Sequence, residues 1–307
     1  MQRRSEFVVV DGKAYHIGVA PGQLARRLLL VGDPARALLV AERFELTEGE
    51  YRHREYVTVT GRFRGQRVSV MGTGIGTDNV EIALMEAAAL WDFDLATGQR
   101  LSDPAPRPVV IRVGTSGGAQ PDVAAGTQVI AAYALGLDST GLYFDGPAAD
   151  DVVLALEVEA SRALARAATP GARFAGRLPV YAAKASPALT ASLARLAAAR
   201  GLSCAVGVTV AAPGFYGASS RWVDGVTNTV ADVKGALAAI AVGDQRVLNF
   251  EMESSLLFHL AAQLDVHAAT VCPVISQPQS HGAVFDYRPA VAAAIDLGLA
   301  ALVEDAG

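Results

Sequence analysis

The feature that most limits how this chain can fold is a repeated transition from a short apolar run, through a glycine turn, into helical patterning. Leu28-Leu29-Leu30-Val31 stops at Gly32-Asp33-Pro34, and residues 67–71 (RVSVM) run into Gly72-Thr73-Gly74-Ile75-Gly76. Residues 109–113 (VVIRV) run into Gly114-Thr115-Ser116-Gly117-Gly118. Apolar runs of this length closed by turn residues mark buried strands, and strands alternating with helices mark an α/β architecture. Residues 56–60 (YVTVT) pair naturally with 67–71 as a hairpin, with Gly61 and Gly65 between them. After the second turn, Asp78 is placed as a helix N-cap, with Glu81 three residues on and a strong helix former, EIALMEAAALW, behind it.

The second half repeats the alternation. Val152, Leu156, Ala160 and Leu164 share one helical stripe. Ser186-Pro187 reads as N-cap and first residue of a helix that Gly201 ends. Strands are expected at 205–210 and 270–275, a helix between them from about 250 to 263, and an Ala/Leu-rich helix after Pro289. Pro/Gly-rich stretches at 101–108, 144–150 and 168–179 are expected as surface loops, because the alternation continues past each. The 307 residues are therefore expected to form a single α/β domain (1–307), its sheet mostly buried by helices; 51% hydrophobic residues supply the core.

Several function classes are excluded early. A net charge of −5 argues against binding a nucleic-acid backbone. Cys204 and Cys272 stand far apart and in no metal-ligand pattern, so neither a disulfide framework nor a metal centre is expected. The opening MQRRSEFVVVDGKAYH has too short an apolar run for a signal peptide, and no run has the length of a bilayer span. A cytoplasmic protein without a membrane partner is expected.

Glycines after strands let backbone N–H groups approach an anion. Arg36 lies four residues after Gly32, and Arg112 interrupts an apolar strand two residues before Gly114. A guanidinium there needs a counter-charge, which either an internal carboxylate or a bound anion supplies. A dinucleotide reading of the middle turn requires glycine at 77, where Thr77 stands.

In order along the chain, the segments His16-Ile17-Gly18, Gly32-Asp33-Pro34-Ala35-Arg36, His53-Arg54-Glu55, Thr73-Gly74-Ile75-Gly76, Arg112-Val113-Gly114-Thr115-Ser116-Gly117 and Phe250-Glu251-Met252-Glu253-Ser254 resemble the nucleoside phosphorylase-I family, most closely its uridine phosphorylase branch. The resemblance covers most of residues 16–260. It implies a central mixed, partly barrel-like sheet surrounded by helices, and cleavage of a nucleoside by inorganic phosphate as co-substrate. It also implies a homo-oligomer, a hexamer built as a trimer of dimers. Gly32, Arg36, Arg112 and Thr115 are then expected to hold phosphate, completed by Arg54 of a neighbouring subunit. Glu253, Met252 and Glu251 are expected at the ribose, with His16 reaching a neighbour's 5′-hydroxyl. Phe215, Ser219 and Arg221 are expected at the base, with Arg112 and Arg221 carrying the catalysis. Glu55 resembles a residue that helps bind a monovalent cation in some members.

The base end departs from the pattern. Ser219 stands where a uracil-reading glutamine is expected, and Ser276-Gln277-Pro278 lacks the arginine usual in uridine phosphorylases. Arg221 favours a pyrimidine. Three other readings remain open: a hydrolytic nucleosidase of the same fold, a nucleoside-binding protein without turnover, and a nicotinamide oxidoreductase, which Thr77 disfavours.

Overall fold

The computed structural model describes residues 4–102, 105–277 and 286–304. The alternation read from the sequence is present as Arg27–Val31 (β1), Pro34–Ala41 (α1), Leu46–His53 (β2), Tyr56–Phe63 (β3), Gln66–Gly72 (β4) and Thr77–Asp92 (α2). Val109–Val113 (β5), Ser116–Gly118 (β6), Gln128–Gly136 (β7), Asp151–Arg166 (α3), Tyr181–Lys184 (β8) and Pro187–Ala199 (α4) follow. Cys204–Ala211 (β9), Val233–Ala238 (α5), Gln245–Glu251 (β10), Ser254–Gln263 (α6), His267–Ser276 (β11) and Arg288–Val303 (α7) complete it.

These eleven strands form one mixed sheet in the order β8-β7-β9-β10-β6-β11-β5-β1-β4-β3-β2, with the short strand Ala241–Val242 beside β10. Strand β7 also pairs antiparallel with β11, setting Ile130 opposite Val271. That contact closes β7, β9, β10, β6 and β11 into a ring, so the sheet is partly a barrel, as expected. Strands β4, β1, β5 and β11 run parallel, with Leu30 and Thr270 both in register with Arg112. Val31 ends beside Gly72 and Val113. The three glycine turns therefore emerge together at one carboxyl edge, where open α/β sheets place their ligands.

The parallel strands are buried on both faces, which is why they read as unbroken apolar runs. Leu28, Leu30 and Val110 pack toward Leu84 of α2 and Leu256 of α6. Leu29, Ile111 and Val271 pack toward Leu193 of α4 and Leu297 of α7. Each such side chain removed from water contributes about 1.5–3 kcal/mol.

The expected hairpin is present, joined by Arg64 and Gly65, both at positive φ as a two-residue type I′ turn requires. Ser186 holds the N-cap position of α4 with Pro187 behind it, and Gly201 takes φ +65 just past its end. Two boundaries differ from expectation. Gly76, at φ +97, holds the N-cap of α2, and Asp78 sits in its first turn, accepting from Thr140 Oγ1 at 2.6 Å. Helix α6 starts at Ser254 rather than near 250, because Phe250 and Glu251 still belong to β10, with Phe250 opposite Gly117.

Candidate active site

A cavity of about 940 Å³ opens at the carboxyl edge. Its wall brings together Gly32, Arg36, Arg112 and Thr115 from the first half of the chain with Phe215, Ser219, Arg221, Glu251, Met252 and Glu253 from the second.

Arg112 is the centre of the polar wall and is almost completely buried. Its Nη1 lies 2.9 Å from Glu251 Oε2, and its Nη2 donates to Glu253 Oε2. Nη1 also meets Cys272 Sγ at 3.4 Å. The internal ion pair left open by the sequence is thus present, inside the cavity wall. Glu251 accepts the backbone N–H groups of Glu253 and Ser254, both at 3.0 Å, and Glu253 accepts the Gly76 N–H at 2.7 Å. Burial pushes the Glu251 carboxyl above its ordinary value, against the pull of Arg112. Burial likewise pushes the Cys272 thiol up, to about 12. Gly114 is required here by contact: a Cβ at that position would lie 2.2 Å from Arg112 Nη1.

Arg36 extends from the first turn of α1. Among the described residues no carboxylate forms an ion pair with it. Burial and the neighbouring Arg112 hold its pKa below the ordinary guanidinium value. Two guanidinium groups that repel one another beside a glycine turn make a site for an anion that accepts from both.

At the other end, the Arg221 guanidinium stacks 3.5 Å from the Phe215 ring centroid and donates from Nη1 to the Phe215 carbonyl at 2.6 Å. The exposed Phe215 ring therefore has one face already covered. Ser219 is buried and donates to the Gly214 carbonyl at 3.0 Å. Ser219 lines the cavity as expected of a base-end residue, and the tight turn Gly217–Ser219 engages its hydroxyl with its own loop. Pro278 lies outside the described residues; the Gln277 amide donates to the Val123 carbonyl. Lys234 also lines the cavity. Sequence reading missed it, since nothing in Ala231-Asp232-Val233-Lys234-Gly235 separates a site lysine from a solvated one.

His16 and Arg54 do not line this cavity within one chain. Backbone N–H groups of His16 and Ile17 donate to the Glu86 carboxylate, which also meets His16 Nδ1 at 2.6 Å. Arg54, at φ +52, donates to the Tyr15 hydroxyl at 2.8 Å. Glu55, the next residue, does line the cavity.

The chain is similar to several known phosphorylases. A uridine phosphorylase of Thermococcus kodakarensis is 29% identical over 87% of this chain and 78% of its own length. A DeoD-type purine nucleoside phosphorylase of Geobacillus kaustophilus is 28% identical over 84% of each chain. Among solved structures, a Trypanosoma brucei nucleoside phosphorylase described as showing uridine phosphorylase activity superposes with a TM-score of 0.84. It is 26% identical, covering 97% of this chain and 99% of that one. The model of the phosphorylase superfamily matches residues 26–296, from β1 into α7, and the chain belongs to that superfamily.

Proposed function

We propose that this protein cleaves the N-glycosidic bond of a pyrimidine nucleoside with inorganic phosphate, giving ribose 1-phosphate and the free base. The observation that carries the reading is Arg36: a half-buried guanidinium without an ion-pair partner among the described residues, set against Arg112 at the glycine edge. A phosphate dianion offers acceptors to both guanidinium groups and to Thr115, and charge-assisted bonds contribute about 1.5–3 kcal/mol each.

Glu253 faces the same space and, when ionised, is an acceptor suited to a vicinal diol. Met252, which also lines the cavity, would pack against the sugar face. As the bond stretches, its electron pair moves to the base nitrogen and positive charge grows on the sugar. A phosphate oxygen then forms the new bond to C1′, and the proton of hydrogenphosphate ends on the base, directly or through water. The bound phosphate stabilises the sugar cation, and Arg221 stabilises the leaving base. Positioning and electrostatics carry the rate, with no covalent enzyme intermediate.

Arg54 and His16 fit this scheme as contributions to the cavity of a second copy, in a homo-oligomer of at least two subunits arranged as a hexamer. Its place is the cytoplasm. No helix of the described residues is long and apolar enough to cross a membrane.

The test is release of free base from uridine, thymidine, cytidine, inosine and adenosine, with and without phosphate. Phosphate-dependent cleavage of uridine or thymidine is expected. Equal release without phosphate would identify a hydrolase, and cleavage of purine nucleosides alone would overturn the pyrimidine assignment.

A further inference from the structure

We propose that Lys234 determines base specificity, its ammonium taking a carbonyl oxygen of a base that leaves as an anion. This rests on the phosphorylase reading above and adds to it a base class: keto-substituted rings over amino-substituted ones.

Lys234 is the second residue of α5. The Asp232 carboxylate that caps this helix is engaged with the Gly235 N–H at 2.8 Å. The Lys234 backbone N–H donates to Ser220 Oγ at 2.9 Å, which ties α5 to the loop carrying Arg221. The ammonium stands 5.7 Å from the Phe250 ring centroid. It is 3.6 Å from where a Cβ on Gly117 would lie, with Ser276 Oγ 3.3 Å from the same point. The missing side chain at Gly117 thus leaves the ammonium facing open cavity.

Among the described residues, no hydrogen bond or ion pair engages this ammonium. Burial, then repulsion from Arg221, holds its pKa below the ordinary lysine value. The backbone bond to Ser220, the neighbour of Arg221, places Lys234 at the base end, where Arg221 repels it and Asp232 offsets part of that repulsion. A half-buried cation that has only a ring face and a distant carboxylate near it carries a desolvation cost that a negatively charged ligand offsets. The two cations at this end, Lys234 and Arg221, face the position where negative charge collects as the C1′–N bond breaks and its electron pair passes to the ring. Lysine and arginine are donors only. Keto oxygens answer both; an exocyclic amino group presents further N–H donors and mismatches them.

The experiment compares Lys234→Met and Lys234→Arg with wild type on uridine, 5-fluorouridine and cytidine, measuring kcat/KM and the KM for phosphate. Unfolding midpoints confirm that each variant is folded. Lys234→Met is expected to lower kcat/KM for uridine by about ten- to a hundredfold, the size of one charge-assisted bond. The loss should be smaller for 5-fluorouridine, whose base is the more stable anion, and the preference for uridine over cytidine should narrow. The KM for phosphate should stay within about twofold, and Lys234→Arg should keep most of the activity. Unchanged kcat/KM in Lys234→Met, equal losses on uridine and 5-fluorouridine, or a loss confined to the phosphate KM would overturn the proposal. If wild type cleaves none of these nucleosides with phosphate, the pyrimidine assignment falls as well, and the phosphorylase reading falls with it if inosine and adenosine are also left intact. If wild type is active and Lys234→Met equals it, only the role of Lys234 falls.

Discussion

Arg112 donates directly to Glu253, so the residue placed at the phosphate and the residue placed at the ribose are joined by one buried ion pair. Glu253 uses its other oxygen on the Gly76 N–H, and Glu251 lies against the same guanidinium. One cation thus serves two buried carboxylates. Any ligand that takes donors from Arg112 or offers hydroxyls to Glu253 shifts the balance at the other subsite, which couples binding at the two.

Arg112→Ala is expected to damage both turnover and stability. It strips two buried carboxylates of their counter-charge, a loss of about 3–5 kcal/mol for a broken buried pair. Adding Glu253→Gln should restore part of the stability and none of the activity. Denaturant unfolding and kcat/KM measure the two effects. An Arg112→Ala protein as stable as wild type would show that the network contributes nothing to the fold.

Arg36→Gln should separate function from stability. The lowered pKa means that the folded protein disfavours the charged guanidinium relative to the unfolded chain. That cost applies at every pH where arginine is ionised, neutral pH included. Removing the charge is expected to leave the melting temperature unchanged or raised. The KM for phosphate should increase by about ten- to a hundredfold. A lower melting temperature with unchanged phosphate KM would make Arg36 structural.

Arg54→Ala and Arg112→Ala proteins are each expected to be nearly inactive and to regain activity when co-assembled, since some cavities then contain both arginines. Sedimentation at assay concentration should show no active monomer. Absence of complementation in verified mixed oligomers would remove Arg54 from the neighbouring site.

Ser219→Gln is expected to sharpen preference for uridine. The serine hydroxyl is engaged with the Gly214 carbonyl, whereas a longer amide in its place extends beyond the loop to the base edge. Specificity constants for uridine, thymidine and cytidine decide this. Unchanged ratios with intact activity would mean that position 219 does not read the base.

Much of the fold was legible because it follows from local chemistry. The apolar runs of β1, β4 and β5 mark strands buried on both faces, and Gly32, Gly72 and Gly114 mark where they stop. The helix starts were less legible. A capping-box pattern at Asp78 lost to Gly76, whose positive φ decides where the chain turns. The pattern around Phe250-Glu251-Met252-Glu253 cannot show that Phe250 pairs with Gly117 across the sheet. Arg112 within VVIRV announced a buried charge, but its partners, Glu251 and Glu253, lie 139 and 141 positions away in the numbering. Only the parallel register of β1, β5 and β11, together with the closed ring, brings them within hydrogen-bond reach. Lys234 shows the same limit: its sequence neighbours are ordinary, and the Gly117 gap beside it comes from a distant part of the chain. Propensity and hydrophobic pattern act over a few residues and determined the elements. Electrostatic pairing acts through space, so the tertiary structure alone decided which charges meet and which ones are left facing the cavity.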